Sequence, residues 1–148
     1  MSKALIQNRK ATFNYEILEK FMTGIVLSGQ EVRSLREGHG NLEGTYVVIR
    51  GGEAFLINAE IPAYQPKNAS EDYEPRQNRK LLLLKKEIAY LLGQEKAGLT
   101  IVPLAMYNMG KKIKVEIALA KGKKKHDKRE TIKKRESDRD VQRTLKGE

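Results

Sequence analysis

The chain has 148 residues, 39% of them hydrophobic and 32% charged, and its formal net charge is +10. That length suits one domain with a core of its own. No stretch approaches the roughly 18 successive apolar residues that cross a bilayer, and the opening MSKALIQNRKATFNYE has neither the apolar region nor the small-residue cleavage site of a secretory signal. With no cysteine there is no disulfide, thiolate metal site or cysteine nucleophile, a usage that suits the reducing cytoplasm.

From Phe13 to Leu27 apolar and polar residues alternate, with Phe13, Tyr15, Ile17 and Phe21 on one face and Asn14, Glu16 and Lys20 on the other. Period two is the pattern of a half-buried strand, and Gly24 within it marks a bend or bulge. Ser28 and Glu31 have capping-box spacing, Val32 and Leu35 follow at helical interval, and Gly38 ends this first helix. In TYVVIRGGEAFLIN two apolar runs flank Gly51 and Gly52, a pair that permits positive φ at both centres of a hairpin turn. Residues 62–80, PAYQPKNASEDYEPRQNRK, read as a polar loop, long for a compact domain and of the kind that is often functional or mobile. The second helix runs from about Leu84 to Lys96, with Leu84, Ile88, Leu91 and Leu92 as its apolar stripe and Gly98 as its stop. TIVPLAMY and KIKVEIALA then flank Asn108, Met109 and Gly110 as a second hairpin, and Pro103 requires an edge or a bulge.

These elements predict a mainly β fold over residues 1–120: a small closed β-barrel of the oligonucleotide-binding type, with about six antiparallel strands and two to three helices. Closure removes the exposed edges that a lone small sheet would present.

Residues 121–148 are different. They carry 12 Lys/Arg against 6 Asp/Glu, while the first 120 residues carry 17 against 13. Their apolar side chains are Ile132, Val141 and Leu145, too little surface to offset the entropy of ordering. This predicts a basic C-terminal tail that is disordered when free. Such an end meets a polyanion, unless it serves as a solvated extension.

The residues do not predict an enzyme. His39 stands between glycines in a turn. His126 and Asp127 are sequence neighbours, which do not face one another on a helix, and no further histidine is at hand to complete a metal set. Glu71 and Asp72 sit in a polar loop with no apolar pocket to raise a carboxyl pKa. No glycine-rich phosphate loop is present, so neither a cofactor nor a metal is expected. Basic clusters are the stronger signal: Asn8-Arg9-Lys10, Arg33 with Arg36, and Arg76, Arg79 and Lys80 followed by Lys85 and Lys86. With Tyr64 or Tyr73 as stacking rings, they suit phosphate grip and base contact.

The blocks NRKATFNYEILEKF, GIVLSGQEVRSLREG, NRKLLLLKKEI, LTIVPLAMY and EIALAKGKKKHDKRE, in this order over residues 8–130, resemble the SsrA-binding protein (SmpB) family. The resemblance implies an oligonucleotide-binding-type barrel that binds the tRNA-like domain of transfer-messenger RNA and delivers it to stalled ribosomes for trans-translation. It implies RNA contacts by Asn8, Arg9, Lys10, Glu31, Arg33, Arg79, Lys80 and Leu82. It implies ribosome contacts, at the decoding site and in the message channel, by Lys121, Gly122, Lys123, Lys124, His126, Asp127, Lys128 and Arg129. The tail would enter the empty channel as a helix and stand in for codon–anticodon pairing. Glu130 and Lys134 at i, i+4, and Glu136/Arg139 and Asp140/Arg143 at i, i+3, are consistent with a latent helix. Contacts with elongation factor Tu and alanyl-tRNA synthetase would be indirect, through the RNA, and no membrane is involved.

The chain departs from the family pattern at Met22-Thr23, where Glu-Ala is common. It departs again at Gln77 and at Leu84, where an arginine and a histidine are common. Leu84 fits the apolar stripe of its helix, which gives its presence a structural reason. The bare residues leave two other classes to separate: a ribosomal protein with a basic extension, and a metal-dependent nuclease using His126 and Asp127, against which the incomplete metal set counts.

Overall fold

A computed structural model describes residues 3–65 and 72–123. The middle of the long polar loop and the tail from Lys124 onward, with its expected disorder and latent helix, lie outside the described residues. In chain order the elements are β1 (Ala4–Gln7), α1 (Ala11–Asn14), β2 (Tyr15–Ile25), α2 (Gly29–Arg36), β3 (Tyr46–Arg50), β4 (Glu53–Ile57), β5 (Arg79–Leu82), α3 (Lys85–Lys96), β6 (Thr100–Met109) and β7 (Lys112–Gly122).

The sheet order is β1-β6-β3-β4-β5-β2-β7, and β7 pairs back onto β6. Six strands therefore close into a ring, as the expected barrel requires, and β1 adds outside it along β6. Two seams are thin. β3 meets β6 at Val47↔Ile101 alone, and β2 meets β5 at Gly24↔Leu82 and Ile25↔Leu81. The ring encloses a core that includes Leu56, Leu81, Ile101, Met106, Val115 and Ile117, all essentially inaccessible.

Both hairpins form. Gly51 and Gly52 have φ of 57° and 74°, the left-handed pair that a two-residue turn between β3 and β4 needs. The second turn is displaced: Met109 pairs with Lys112, so its centre is Gly110 and Lys111, not Asn108 to Gly110. Pro103 is buried at a register shift before Ala105, the bulge its missing N–H calls for.

The Phe13–Leu27 alternation is not one strand. Ala11–Asn14 coil into a single turn of helix, which takes Phe13 out of the sheet. A bulge between Ile17 and Glu19 then reverses the parity of β2. Before the bulge Tyr15 and Ile17 pack on a small cluster of Ala11, Val102 and Ala120; after it Phe21 and Ile25 face the main core. Thus Tyr15, Ile17 and Phe21 do not share one face as their spacing suggests.

Short strands account for the other differences. β1 is only four residues long, Ala-Leu-Ile-Gln, too short for an alternation to register. β5 occupies the end of what reads as a loop, because two of its four residues are Arg79 and Lys80. The two helices read from the sequence form as expected, and Gly38 and Gly98 follow their last turns at φ of 82° and 97°. The assignment of Leu84 to the apolar stripe is corrected. It is the N-cap of α3 and is 59% exposed, while Leu91 enters the core and Ile88 and Leu92 flank it. As N-cap its backbone is extended (φ −71°, ψ 151°), so it does not share the helical face of Ile88, Leu91 and Leu92. α3 is also tied to β2: Tyr90 lies against Phe21, ring centroids 6.2 Å apart, and donates to Glu19 at 2.7 Å.

Candidate nucleic-acid interface

After the bulge in β2, Lys20, Met22 and Gly24 stand on the outer face of the ring. Met22 is opposite Glu116, and Gly24 is opposite both Lys114 and Leu82. Met22 is 44% exposed and Leu82 57%. Gly24 keeps this surface low: a Cβ there would come within 3.2 Å of Leu82 Cδ1. One groove beside it is lined by Arg9, Thr12, Lys20, Leu104, Tyr107 and Glu116. A second is lined by Val26, Val32, Leu82, Lys112, Ile113 and Lys114. The outer face thus has an exposed apolar centre with cations on both sides, a surface on which ribose and base can rest while phosphates meet ammonium groups.

The expected site residues divide by what they touch. Asn8 is committed to the fold: its Nδ2 donates to the Pro103 carbonyl at 3.0 Å and its amide to Leu104 at 2.8 Å, which fastens β1 at the β6 bulge. Arg9 is exposed and faces the first groove. Lys10 pairs with Glu43 at 2.7 Å, with both side chains more than half exposed, a pairing that costs little to exchange for phosphate. Lys80 pairs with Glu53 at 3.2 Å, each side chain just under half exposed. The guanidinium of Arg33, on α2, lies 5.9 Å from the centroid of Tyr64, the third residue of the long loop. Arg36 spans to the second hairpin, donating to Asn108 Oδ1 and to the Lys111 carbonyl.

Glu31 and Arg79 are buried, each 3% exposed, and paired at 2.6 Å. Glu31 completes the capping box of α2, accepting from the Ser28 amide at 2.9 Å and donating its own amide to Ser28 Oγ at 3.3 Å. Burial raises the Glu31 pKa, but the Ser28 amide and then Arg79 outweigh it and hold the carboxyl below its ordinary value. Arg79 directs its remaining donors to the carbonyls of Ala59, Gln77 and Pro75, at 2.7, 3.1 and 2.8 Å. Tyr73 donates to the Ile61 carbonyl at 2.5 Å, and burial, then the charge of Glu31, raise its phenol pKa. Glu31 and Arg79, both expected to touch RNA, are therefore structural neighbours of the surface.

Lys121 and Gly122, expected in the tail, are the last residues of β7, opposite Glu16 and Tyr15. Lys123 continues the attachment through its amide to Asn14 and its Nζ to Thr12, both at 3.0 Å. The strand continues past Ala120, the expected end of the barrel, and leaves the sheet beside α1 and Lys10. Lys124, His126, Asp127, Lys128 and Arg129 lie outside the described residues. Lys20, Tyr107 and Lys114 also belong to the surface, although no motif in the sequence marks them. The signal that finds them is outward alternation on β2, β6 and β7 once the bulges are placed. Among the described residues no group of three His, Asp or Glu is arranged to hold a metal, and no helix is long and apolar enough to cross a membrane.

A closed β-ring with cations around an apolar outer face defines a small barrel protein built for a polyanionic partner. The family model described as SmpB protein matches residues 5–147. The SsrA-binding protein of Gloeothece citriformis is 51% identical over 146 residues, covering 98% of this chain and 94% of its own. That of Sulfurihydrogenibium sp. is also 51% identical over 146 residues, covering 98% and 95%. A chain from a solved structure described as "tmRNA-SmpB: a journey to the center of the bacterial ribosome" superposes with a TM-score of 0.67 at 42% identity, covering 85% of this chain and 92% of that one. The chain belongs to the SmpB family.

Proposed function

We propose that this protein binds the tRNA-like domain of transfer-messenger RNA and delivers it to stalled ribosomes for trans-translation, as a cytoplasmic binding protein with no catalytic step. The observation that carries the reading is half identity, over nearly the full chain, to proteins named for the RNA they bind. The structure supports it with a face suited to RNA. Arg9, Lys10, Lys20, Lys80 and Lys114 meet phosphates there, Met22 and Leu82 meet sugar or base, and Tyr64 beside Arg33 offers a ring to an unpaired base. The segment from Lys121 to Arg129 then serves the ribosome. It leaves β7 next to α1, and the following residues enter the empty message channel as a helix in place of codon–anticodon pairing. His126 contributes a ring for rRNA there, and the Lys/Arg excess faces phosphate. Elongation factor Tu and alanyl-tRNA synthetase are met indirectly, through the bound RNA.

The test is binding to transfer-messenger RNA with an unrelated structured RNA as competitor, followed by peptide tagging on stalled ribosomes. The full chain is expected to prefer transfer-messenger RNA and to support tagging; a chain ending at Lys123 is expected to keep the preference and lose tagging. Equal binding of both RNAs, or full tagging by the shortened chain, would sink the reading.

A further inference from the structure

Two stretches remote in sequence, the end of β4 with residues 59–62 and the approach to β5 at residues 73–79, meet under the N-terminus of α2. Beyond the last β4–β5 pairing, Leu56 with Arg79, the Ile61 amide links them by donating to the Pro75 carbonyl at 2.9 Å. The rest of the junction is made by side chains. Arg79 reaches Ala59 on one stretch and Pro75 and Gln77 on the other, while its Nε holds Glu31 of the helix. Ser34, one turn further along α2, donates to the Pro62 carbonyl at 2.6 Å. Gln77 Nε2 adds a longer hydrogen bond to Glu31 at 3.4 Å. Both charges are shielded from solvent, so neither can meet a phosphate without leaving the other unpaired.

We propose that Glu31 and Arg79 form a buried clamp that sets the positions of Tyr64 and Arg76, and so act on RNA as positioning residues that do not touch it. This rests on the functional reading above. Tyr64 emerges two residues beyond Pro62 and reaches Arg33 of the same helix. Arg76 lies between two clamped carbonyls and bonds Asn58 and Glu60 on the opposite stretch, at 3.1 and 2.8 Å. Release of the clamp frees Tyr64 and Arg76 together. A guanidinium is required, because the fork must satisfy a carboxylate and three carbonyls in different directions, and a lysine ammonium on a flexible stem does not reproduce that fan.

Two readouts on the full chain test this: amide hydrogen exchange of the RNA-free protein, and the Kd for transfer-messenger RNA. In Arg79→Lys the Ile61 amide is expected to exchange at least about tenfold faster while Val115 and Ile117 keep their protection, and the RNA is expected to bind roughly tenfold more weakly. A direct phosphate contact predicts the reverse, since lysine keeps the charge: unchanged exchange at Ile61 and near-native affinity. Either of those results overturns the clamp. Glu31→Gln, which keeps the shape and weakens the pair, is the second variant if Arg79→Lys does not fold, and is expected to change both readouts in the same direction. If the wild-type chain shows no preference for transfer-messenger RNA and Ile61 still responds, the functional reading falls and the structural clamp stands.

Discussion

At Glu31 burial and hydrogen bonding pull the carboxyl pKa in opposite directions, and the Ser28 amide and Arg79 prevail. A carboxyl whose folded pKa lies below its unfolded one stabilises the fold above the unfolded value, and that stability is lost as pH falls through the folded one. The wild-type chain is therefore expected to lose more stability between about pH 7 and pH 3 than Glu31→Gln does, as read by denaturant midpoints at each pH. Equal losses would show that Glu31 is not favourably paired. Removing the other partner is harsher: Arg79→Met leaves a buried carboxylate alone and is expected to cost about 3–5 kcal/mol at neutral pH. At this scale the sequence is half legible. The spacing of Ser28 and Glu31 announces the cap, but nothing in a string of residues shows that Arg79, 48 positions later, is the partner that buries with it.

At the scale of elements, glycine substitutions separate turn conformation from helix propensity. Gly51 has open space around it yet sits at φ of 57°, so Gly51→Ala is expected to destabilise the β3–β4 hairpin by about 1–2 kcal/mol. Gly93 also has open space, but it lies inside α3 with no positive φ, so Gly93→Ala is expected to stabilise by about 0.5–1 kcal/mol. Thermal unfolding of the two variants checks both signs. The hairpins and the two main helices are legible because each carries a local chemical mark: a Gly-Gly pair, a cap, a stop glycine. The bulge at Leu18 and the four-residue strands are not. A bulge is recognised by what the partner strand does, and β5 exists because Ala54 and Ile25 flank Leu81, not because of its own composition.

At the scale of the whole molecule, the question is where the barrel stops and the tail begins. Composition changes at Ala120, but the hydrogen bonds continue through Lys121 and Gly122 to Lys123. These last residues hold Tyr15, Glu16 and α1 against the sheet, over the Ala11, Val102 and Ala120 cluster. A chain ending at Ala120 forfeits that pairing and is expected to be about 1–3 kcal/mol less stable than one ending at Lys123, at roughly 1 kcal/mol for each net hydrogen bond. Residues 124–148 carry three aliphatic side chains, so the chain ending at Lys123 is expected to match the full chain in denaturant midpoint. Salt dependence then separates the charges by use. Every phosphate that a cation no longer neutralises lowers the slope of log affinity against log salt by about 0.7–0.9. If the tail is kept for the ribosome, the full chain and the chain ending at Lys123 bind transfer-messenger RNA with similar slopes, and the chain ending at Ala120 binds more weakly because the turn of helix that follows Arg9 and Lys10 is no longer held in place. A slope that falls by several units on removal of residues 124–148 would place those cations on the free RNA and leave the barrel with the lesser part of binding.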